Sequence, residues 1–366
     1  MVEVKSWVCT CLIAAAILLC GSGCQAAGPQ TELQVSESIR RRLESSLFEF
    51  EPDIQRHYAV RMYRLTGDSR YFQPIMYDLV VTLDRLREDL RRANDSSYVR
   101  SRCLQMRSSL NPATRKDRLR LAVFEKAGTI DFYLNLATIA NKLADYRLTH
   151  TESLGPLFDS TLNVLRAVDF SSFLLDTAVI RVFAPQVVNY VYYLADLGIV
   201  DLRERYVRVF RDVYSDSDDS RLSKDEFMDK AYGLTHFITA ASRYYQQSVD
   251  SVEFAWILKY FETRQDRILA DTKADIIAEV GVCFLLAGQE RHAIVMECRR
   301  KVTEQFNSEA GIIPSPGGNT DLAHSEHRNM LAYMLLNWPE RLFPGPDLAS
   351  SKAFKDLLGV PTESDE

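Results

Sequence analysis

The chain has 366 residues, of which 46% are hydrophobic and 26% are charged. This composition is typical of a globular protein and supplies a sizeable apolar core, so the fold needs no disulfide or metal for its stability. The formal net charge of -6 argues against a surface that binds nucleic acid or an anionic membrane.

The first 24 residues are predicted to be an export segment. An apolar stretch from Trp7 to Leu19 follows Lys5, and it is too short for a membrane-spanning helix, which needs about 20 residues. The small residues before Cys24 resemble the end of a lipoprotein signal, in which the cysteine is lipidated and becomes the mature N-terminus. The alternative is cleavage near Ala26 and a free periplasmic protein.

These features predict a protein on the periplasmic side of the cell envelope, anchored to the membrane by a lipid on Cys24. The residue after the cysteine is Gln25 and not an aspartate. This resembles the sequence preference of lipoproteins that are sorted to the outer membrane. Residues 25–31 are predicted to be a linker, residues 32–345 a helical domain, and residues 346–366 a C-terminal tail.

From residue 32 onward the sequence predicts about a dozen helices separated by short loops. Pro52, Pro112 and Pro185 lie at the starts of segments whose apolar residues recur with the period of a helix. Proline is tolerated there because the first N–H groups of a helix have no acceptor within it. Ser223 and Glu226 form a capping box that opens a long helix. No stretch alternates apolar and polar residues over enough positions to predict a β-sheet. The predicted fold is therefore all-α, a single large domain of antiparallel helix pairs resembling an (α/α) toroid.

The acidic segment from Asp212 to Glu226 ends like the calcium-binding loop of an EF-hand. Serines occupy the positions of the first two ligands and of the required glycine, at Ser215, Ser217 and Ser220. We therefore predict a solvated loop and a helix cap here, and no calcium site.

Three cysteines follow the predicted leader besides Cys24, namely Cys103, Cys283 and Cys298. They lack the CxxC spacing of zinc or redox motifs. We predict buried, inert thiols, and one disulfide is the alternative in an oxidising compartment.

Three helical segments carry polar residues within apolar surroundings. In residues 271–286, four side chains recur at i, i+4 and are predicted to line one stripe of a single helix: Asp271, Asp275, Glu279 and Cys283. Glu279 has apolar neighbours, so its charge needs a cation, a metal or a proton to offset it.

The other two segments supply histidines. On the second predicted helix, a polar stripe comprises Tyr232, His236, Thr239 and Arg243. The third predicted helix opens with a cluster of His324, Glu326, His327, Arg328 and Asn329.

We predict that four of these side chains meet in one pocket and act as a catalytic acid/base set: His236, Asp275, Glu279 and His327. No cofactor is certain, although a zinc-like divalent metal held by His236, Glu279 and His327 is possible by ligand type.

Further residues of the same segments are predicted to bind substrate: Tyr232, Arg243, Arg328 and Asn329. The structural alternative is a buried salt-bridge network in which Arg243 and Arg328 neutralise the two carboxylates.

Five blocks of the sequence together resemble a bacterial family catalogued as domain of unknown function 3541. The blocks are residues 232–236, 244–246, 256–261, 275–286 and 326–329. The resemblance extends over residues 50–345 and implies an all-helical domain without an established activity.

The first and fourth blocks also resemble (α/α) toroid proteins. That group includes prenyltransferases and lanthionine cyclases with zinc in a central pocket, and sugar-processing enzymes with acidic pockets. The zinc ligands of those proteins lie in Asp-x-Cys and Cys-His pairs, and we find no matching pairs in the present sequence. The resemblance therefore implies a fold more than a function.

Two functions fit these predictions. The favoured one is an envelope enzyme with a polar central pocket that acts on a glycan, a peptidoglycan fragment or a peptide. The alternative is a non-catalytic binding or assembly lipoprotein that holds a partner on its helical surfaces, which requires an exposed apolar patch on the order of several hundred Å2.

Overall fold

Seventeen α-helices make up the regular structure of residues 31–357, the part of the chain that this computed structural model describes. No strand occurs in this range, and a single bridge pairs Asn307 with Ile312. The prediction of an all-α fold is confirmed. The predicted export segment and its lipidated residue, Cys24, lie outside the described residues.

The first nine helices are α1 (Glu32–Ser45), α2 (Pro52–Thr66), α3 (Phe72–Arg91), α4 (Ser96–Arg107), α5 (Arg115–Ala127), α6 (Ile130–Asp145), α7 (Gly155–Arg166), α8 (Ser171–Leu174) and α9 (Thr177–Asp196). The other eight are α10 (Arg203–Val213), α11 (Lys224–Ala241), α12 (Ala255–Thr263), α13 (Gln265–Asp271), α14 (Ala274–Leu286), α15 (Ala293–Glu304), α16 (Leu322–Leu336) and α17 (Lys352–Leu357). Three 3₁₀ helices cover Leu47–Glu49, Ser69–Tyr71 and Asp216–Arg221.

Several helix ends follow the predicted signals. Pro52 is the first residue of α2, and Gly67 ends this helix in the left-handed conformation, with φ at 69°. The capping box at the start of α11 is present, because the Ser223 hydroxyl accepts from the Glu226 N–H and the Glu226 carboxylate accepts from the Ser223 N–H.

Two helix boundaries differ from the predicted ones. Pro185 lies inside α9, two residues after a kink at Phe183, where φ is -126° and ψ is 30°. Asp271 ends α13 and does not belong to α14, because Thr272 and Lys273 are both extended. The predicted stripe on α14 therefore loses its first carboxylate.

Six helices contact one another in the continuous order α2, α16, α14, α11, α9 and α6. The two ends of this series are joined by an ion pair between α2 and α6, in which Arg64 Nη2 lies 3.2 Å from Asp145 Oδ2. Other helices pack against members of the series: α3 on α2, α7 on α6, α10 on α9 and α15 on α14. This contact order is the one a toroid requires, and the toroid itself stays a prediction.

The chain continues to pack on the domain after residue 345. Leu348 and Phe354 are buried, and the Leu348 N–H donates to the Tyr146 carbonyl oxygen at 3.2 Å. The described part of the predicted tail is therefore held against the helices. Among the described helices, none is both long enough and apolar enough to cross a membrane.

The cysteines within the described residues are free thiols, and all three are buried: Cys103, Cys283 and Cys298. Burial raises the pKa of Cys103 to about 12 and that of Cys298 to about 12. Both thiols are therefore protonated and unreactive at neutral pH, as predicted.

The acidic segment before α11 differs from the predicted solvated loop. Asp219 is buried, and its carboxylate accepts from Lys230 Nζ at 2.6 Å and from Arg264 Nε at 2.7 Å. Burial raises the pKa of Asp219, but these hydrogen bonds outweigh it and leave the pKa below its usual value. Lysine and arginine thus supply the positive charge that calcium would have supplied.

Lys230→Met should destabilise the domain by about 3–5 kcal/mol, because the Lys230 side chain is 1% exposed and its loss leaves Asp219 buried with one cation fewer. Urea unfolding measures the change. Lys259→Met is the matched control, because Lys259 pairs with Glu262 at the surface and its replacement should cost less than about 1 kcal/mol. Equal losses in the two variants would contradict the buried cluster.

Candidate functional site

A row of four polar side chains connects α16, α2 and α11. The Tyr232 hydroxyl lies 3.1 Å from His327 Nε2. The opposite nitrogen of that ring, Nδ1, lies 3.1 Å from His57 Nε2. His57 Nδ1 in turn lies 2.7 Å from Glu326 Oε2, off the line of an ideal hydrogen bond. We call Tyr232, His327, His57 and Glu326 the histidine row.

Both rings of the histidine row are neutral at physiological pH. Burial, followed by the charge of the other ring, lowers the pKa of His327 to about 3. Burial also holds the pKa of His57 well below its usual value, with a smaller effect from the Arg61 charge. Each neutral ring has one N–H donor and one acceptor nitrogen.

The histidine row has two consistent proton arrangements. When Glu326 is ionised, the N–H groups of both rings point toward it, and Tyr232 donates to His327. When Glu326 is protonated, the directions are reversed: Glu326 donates to His57, His57 donates to His327, and His327 donates to Tyr232. Burial raises the pKa of Glu326 to about 7, so this carboxyl changes its protonation near neutrality. The row is continuous from Tyr232 to His57, and the contact of His57 Nδ1 with Glu326 lacks hydrogen-bond geometry.

Burial favours a proton on Glu279, although its hydrogen bond with Thr235 acts in the opposite direction. Its Oε2 atom lies 2.5 Å from Thr235 Oγ1, which also lies 2.8 Å from the Tyr232 carbonyl oxygen. The threonine hydroxyl has one proton, and a carbonyl oxygen only accepts. With Glu279 ionised, Thr235 has one proton for these two acceptors, whereas a protonated Glu279 carboxyl would donate to Thr235 and leave the hydroxyl proton for the Tyr232 carbonyl oxygen. Burial raises the pKa of Glu279 to about 8, which agrees with this arrangement.

His236 is an unprotonated imidazole that faces Glu279. Its Nδ1 atom lies 2.7 Å from Asn189 Oδ1 on α9, so the ring proton sits on Nδ1 as the asparagine amide is placed. Nε2 is then a lone pair; it is buried without a hydrogen-bond partner among the described residues, 3.9 Å from Glu279 Oε2. Burial lowers the pKa of His236 to about 3.

The two parts of the site are adjacent. The rings of Tyr232 and His236 stand edge to face, with their centroids 4.8 Å apart. The site therefore contains a protonated acid, Glu279, next to an unprotonated base, His236, with the histidine row beside them. Carboxyl and imidazole groups whose environments drive their pKa values in opposite directions are typical of acid/base catalysis.

Solvent reaches part of the site. The His57 side chain is 22% exposed, although burial is the main cause of its lowered pKa. Tyr232, Asp275 and His327 are also partly exposed, whereas Glu279 and His236 are buried. Solvent therefore contacts the histidine row, and the acid and the base lie deeper in the protein.

The structure brings Asp275 close to the predicted catalytic set, one helical turn before Glu279 on α14. Its charge raises the pKa values of Glu279 and His327. The Asp275 carboxylate accepts from the Ile276 N–H at 3.1 Å. Asp275 therefore shapes the electrostatics of the site, and its side chain is half-buried.

Arg243 does not join the site, because α11 ends at Ala241. The backbone of Arg243 is left-handed, with φ at 51°, and its guanidinium lies 3.8 Å from Asp196. Both residues line an outer groove of about 1080 Å3. The predicted stripe on α11 is therefore formed by Tyr232 and His236 without the arginine.

Asn329 has a structural role. Its side-chain oxygen accepts from the Ile313 N–H at 2.7 Å, and its amide donates to the carbonyl oxygens of Ile313 and Ser325. These bonds fasten the loop before α16. The prediction of substrate binding by Asn329 stays a prediction.

The predicted salt-bridge network is also not formed. Arg243 pairs with Asp196, and Arg328 has buried Nε and Nη1 atoms without hydrogen-bond partners among the described residues. Within residues 31–357, neither arginine forms an ion pair with Asp275 or Glu279. A proton, and not an arginine, offsets the burial of Glu279.

Within residues 31–357, no group of three histidine, cysteine, aspartate or glutamate side chains has an arrangement that could hold a metal ion. The predicted ligands contact other partners. Both nitrogens of His327 contact the histidine row, and His236 Nδ1 contacts Asn189. The side chains present do not fit a zinc-like metal, and the chemistry below uses none.

Sequence reasoning missed three residues of the site: His57, Asn189 and Thr235. Each acts across a helix interface, so no local pattern reveals it. The one available signal for His57 is its spacing on α2, where His57, Arg61 and Arg64 fall at i, i+4 and i+7 on one face.

Comparison with known proteins gives one finding about the family. A family model described as Domain of unknown function (DUF3541) matches residues 32–362, which is most of the chain. No curated protein and no solved structure matches the sequence.

Proposed function

The chain belongs to the family described as Domain of unknown function (DUF3541), and from the geometry of its site we propose that it is an enzyme that cleaves a bond by general acid–base catalysis. One observation carries the proposal. A carboxyl that keeps its proton at neutral pH, Glu279, faces the unpaired lone pair of a neutral imidazole, His236, at 3.9 Å.

The separation of acid and base favours one type of substrate. Inverting glycoside hydrolases place their two catalytic groups about 6.5–9.5 Å apart, because water attacks from the far side of the sugar. The shorter distance here suits hydrolysis at a carbonyl carbon, where the entering and leaving atoms are bonded to the same carbon. We therefore favour an amide bond in a peptide or a peptidoglycan fragment over a glycosidic bond in a glycan.

The proposed reaction conserves protons. His236 Nε2 takes a proton from water as the water oxygen attacks the carbonyl carbon. Glu279 gives its proton to the leaving nitrogen as the carbon–nitrogen bond breaks. The site is then left with a protonated His236 and an ionised Glu279, and the 3.9 Å separation lets the proton return.

The test is incubation of the purified domain with peptidoglycan fragments, peptides and glycans, with products identified by mass spectrometry. We expect amide cleavage by the wild-type domain and none by Glu279→Gln. Equal product from both proteins, or cleavage confined to glycosidic bonds, would overturn this proposal.

We further propose that the protein is exported and lipid-anchored at Cys24 on the periplasmic side of the envelope, with the outer membrane favoured. Full-length wild-type protein should take up labelled palmitate in growing bacterial cells, and Cys24→Ser should lose the label. Cys20→Ser is the matched control and should keep it, because Cys20 lies in the segment removed on processing. Wild-type protein that is cleaved near Ala26 without label would contradict the anchor.

A different surface favours the alternative function, a non-catalytic binding or assembly lipoprotein. Tyr77, Val80 and Val81 form an exposed apolar stripe on α3. If this surface carries the function, wild type and Glu279→Gln should capture the same partner, and neither should release a product.

A further inference from the structure

Three arginines of α2 have buried or half-buried side chains, and one of them differs from the others. Arg56 Nε lies 3.0 Å from Asp78 Oδ2, and Arg64 Nη2 lies 3.2 Å from Asp145 Oδ2. Arg61 has no carboxylate within ion-pair distance among the described residues. Within the described residues, the helix therefore holds two arginines in ion pairs and one, Arg61, without an ion pair, although its charge lowers the pKa values of the nearby Glu279 and Glu326.

The surroundings of Arg61 hold its guanidinium in place without neutralising it. The residue is 9% exposed. Nη1 donates to the His57 carbonyl oxygen at 3.2 Å, and Nε is buried without a hydrogen-bond partner in the described part of the chain. The guanidinium carbon lies 5.6 Å from the centre of the Tyr245 ring. One backbone acceptor and one aromatic face leave most of its five N–H donors unused.

The aromatic face under Arg61 is held by an unusual backbone. Arg243, Tyr244 and Tyr245 are consecutive left-handed residues, with φ values of 51°, 56° and 72°. This conformation is costly for residues other than glycine and persists where the surroundings enforce it, often at functional sites. The Tyr244 carbonyl oxygen accepts from Arg64 Nη1 at 2.8 Å, so the neutralised arginine of α2 fixes the turn that carries Tyr245.

An isolated buried cation costs far more than a paired one. The buried carboxyls of the neighbouring site, Glu279 and Glu326, do not come within ion-pair distance of Arg61. A planar guanidinium with a free edge matches the two oxygens of a carboxylate or a phosphate. Because Arg61 and His57 share a face of α2, an anion bound there lies beside the histidine row.

We propose that Arg61 binds an oxyanion, a carboxylate or phosphate group, of the molecule on which the neighbouring acid–base site acts. The location next to a reacting centre rests on the proposed function, whereas the anion site itself rests on Arg61 alone. The substrate class that follows is an acidic one, such as a peptide with a free carboxylate near the bond to be cleaved.

Calorimetric titration of the folded domain with inorganic phosphate, and separately with acetate, tests the anion site. At least one of these anions should bind wild type, and Arg61→Gln should weaken that binding at least about tenfold, as expected for loss of hydrogen bonds to a charged group. Arg61→Lys should retain part of it, because the positive charge remains. Arg208→Gln is the matched control, since Arg208 is an exposed arginine paired weakly with Glu204, and it should bind as wild type does.

Thermal unfolding is a second measurement. It distinguishes an arginine that binds an anion from one that only stabilises the fold. Arg61→Gln should unfold at the same temperature as wild type or higher, because it removes an unpaired buried charge. Arg64→Gln should unfold at a lower temperature, because it leaves Asp145 without its partner. A large loss of stability in Arg61→Gln would overturn the proposal, as would the failure of both anions to bind wild type, or equal binding to wild type and Arg61→Gln.

The two proposals fail in different ways. Glu279→Gln should bind the anion as wild type does, because it leaves Arg61 unchanged. Anion binding that depends on Arg61, together with product formation that does not depend on Glu279, would overturn the acid–base function alone. The reverse result would overturn the anion site alone.

Discussion

Glu279→Gln should reduce product formation about 10²–10⁴-fold, the usual contribution of a general acid, and leave the domain folded. Glutamine has nearly the size of glutamate, and its amide can keep the hydrogen bond with Thr235 Oγ1. It has no acidic proton to give to a leaving group. Product release measured by mass spectrometry against time gives the ratio of rates for wild type and variant.

Circular dichroism of the same samples should show unchanged helix content, which separates lost catalysis from lost structure. Asp225→Asn serves as the matched carboxylate control, because Asp225 is an exposed residue in the first turn of α11. Its product release should equal that of wild type. A Glu279→Gln domain that is folded and fully active would show that the carboxyl takes no part in the chemistry.

Stability should fall by about 1.6 kcal/mol between pH 6.5 and pH 8 because of Glu279 alone, since each pKa unit corresponds to about 1.4 kcal/mol and the slope decreases as the pH reaches the folded-state pKa. The folded-state pKa is about 8, whereas the ordinary value for a glutamate carboxyl is 4.5. Between these values the folded protein holds a proton that the unfolded chain has released. The stabilisation is complete below the unfolded pKa and disappears as pH rises through the folded one.

Urea unfolding at several pH values measures this effect. The buried histidines have lowered pKa values, so their effect lies below pH 6.5, where stability falls as pH decreases. Both proteins contain Glu326, so its contribution is removed when the unfolding free energy of Glu279→Gln is subtracted from that of wild type. In Glu279→Gln, most of the fall between pH 6.5 and pH 8 should disappear. Parallel pH curves for the two proteins would contradict a proton on Glu279.

The helices could be predicted because their signals are local. Pro52 and Gly67 mark the ends of α2, and Ser223 and Glu226 cap α11. The ends that were predicted wrongly lack such a signal. The polar pattern of α11 continues to Arg243, although the backbone turns left-handed there, and nothing in the residue types around Thr272 announces the break before α14.

The candidate site could be predicted only in part. Glu279 attracts attention because a carboxylate within an apolar helix must be offset. How it is offset depends on its burial and on Thr235, which sits on another helix. The partners of His236 and His327, Asn189 and His57, come from distant parts of the chain. Such contacts follow from the packing of helices and not from any spacing within them.

The measurement that tests the account most directly is a carbon-13 NMR titration of the glutamate side-chain carboxyls between pH 4 and pH 10. The Glu279 signal is identified by its absence in Glu279→Gln. We predict a titration midpoint near 8, which would place a proton opposite His236 Nε2 at neutral pH. A midpoint near 4.5, the ordinary value for a glutamate carboxyl, would mean an ionised carboxylate and would contradict the proposed acid–base pair.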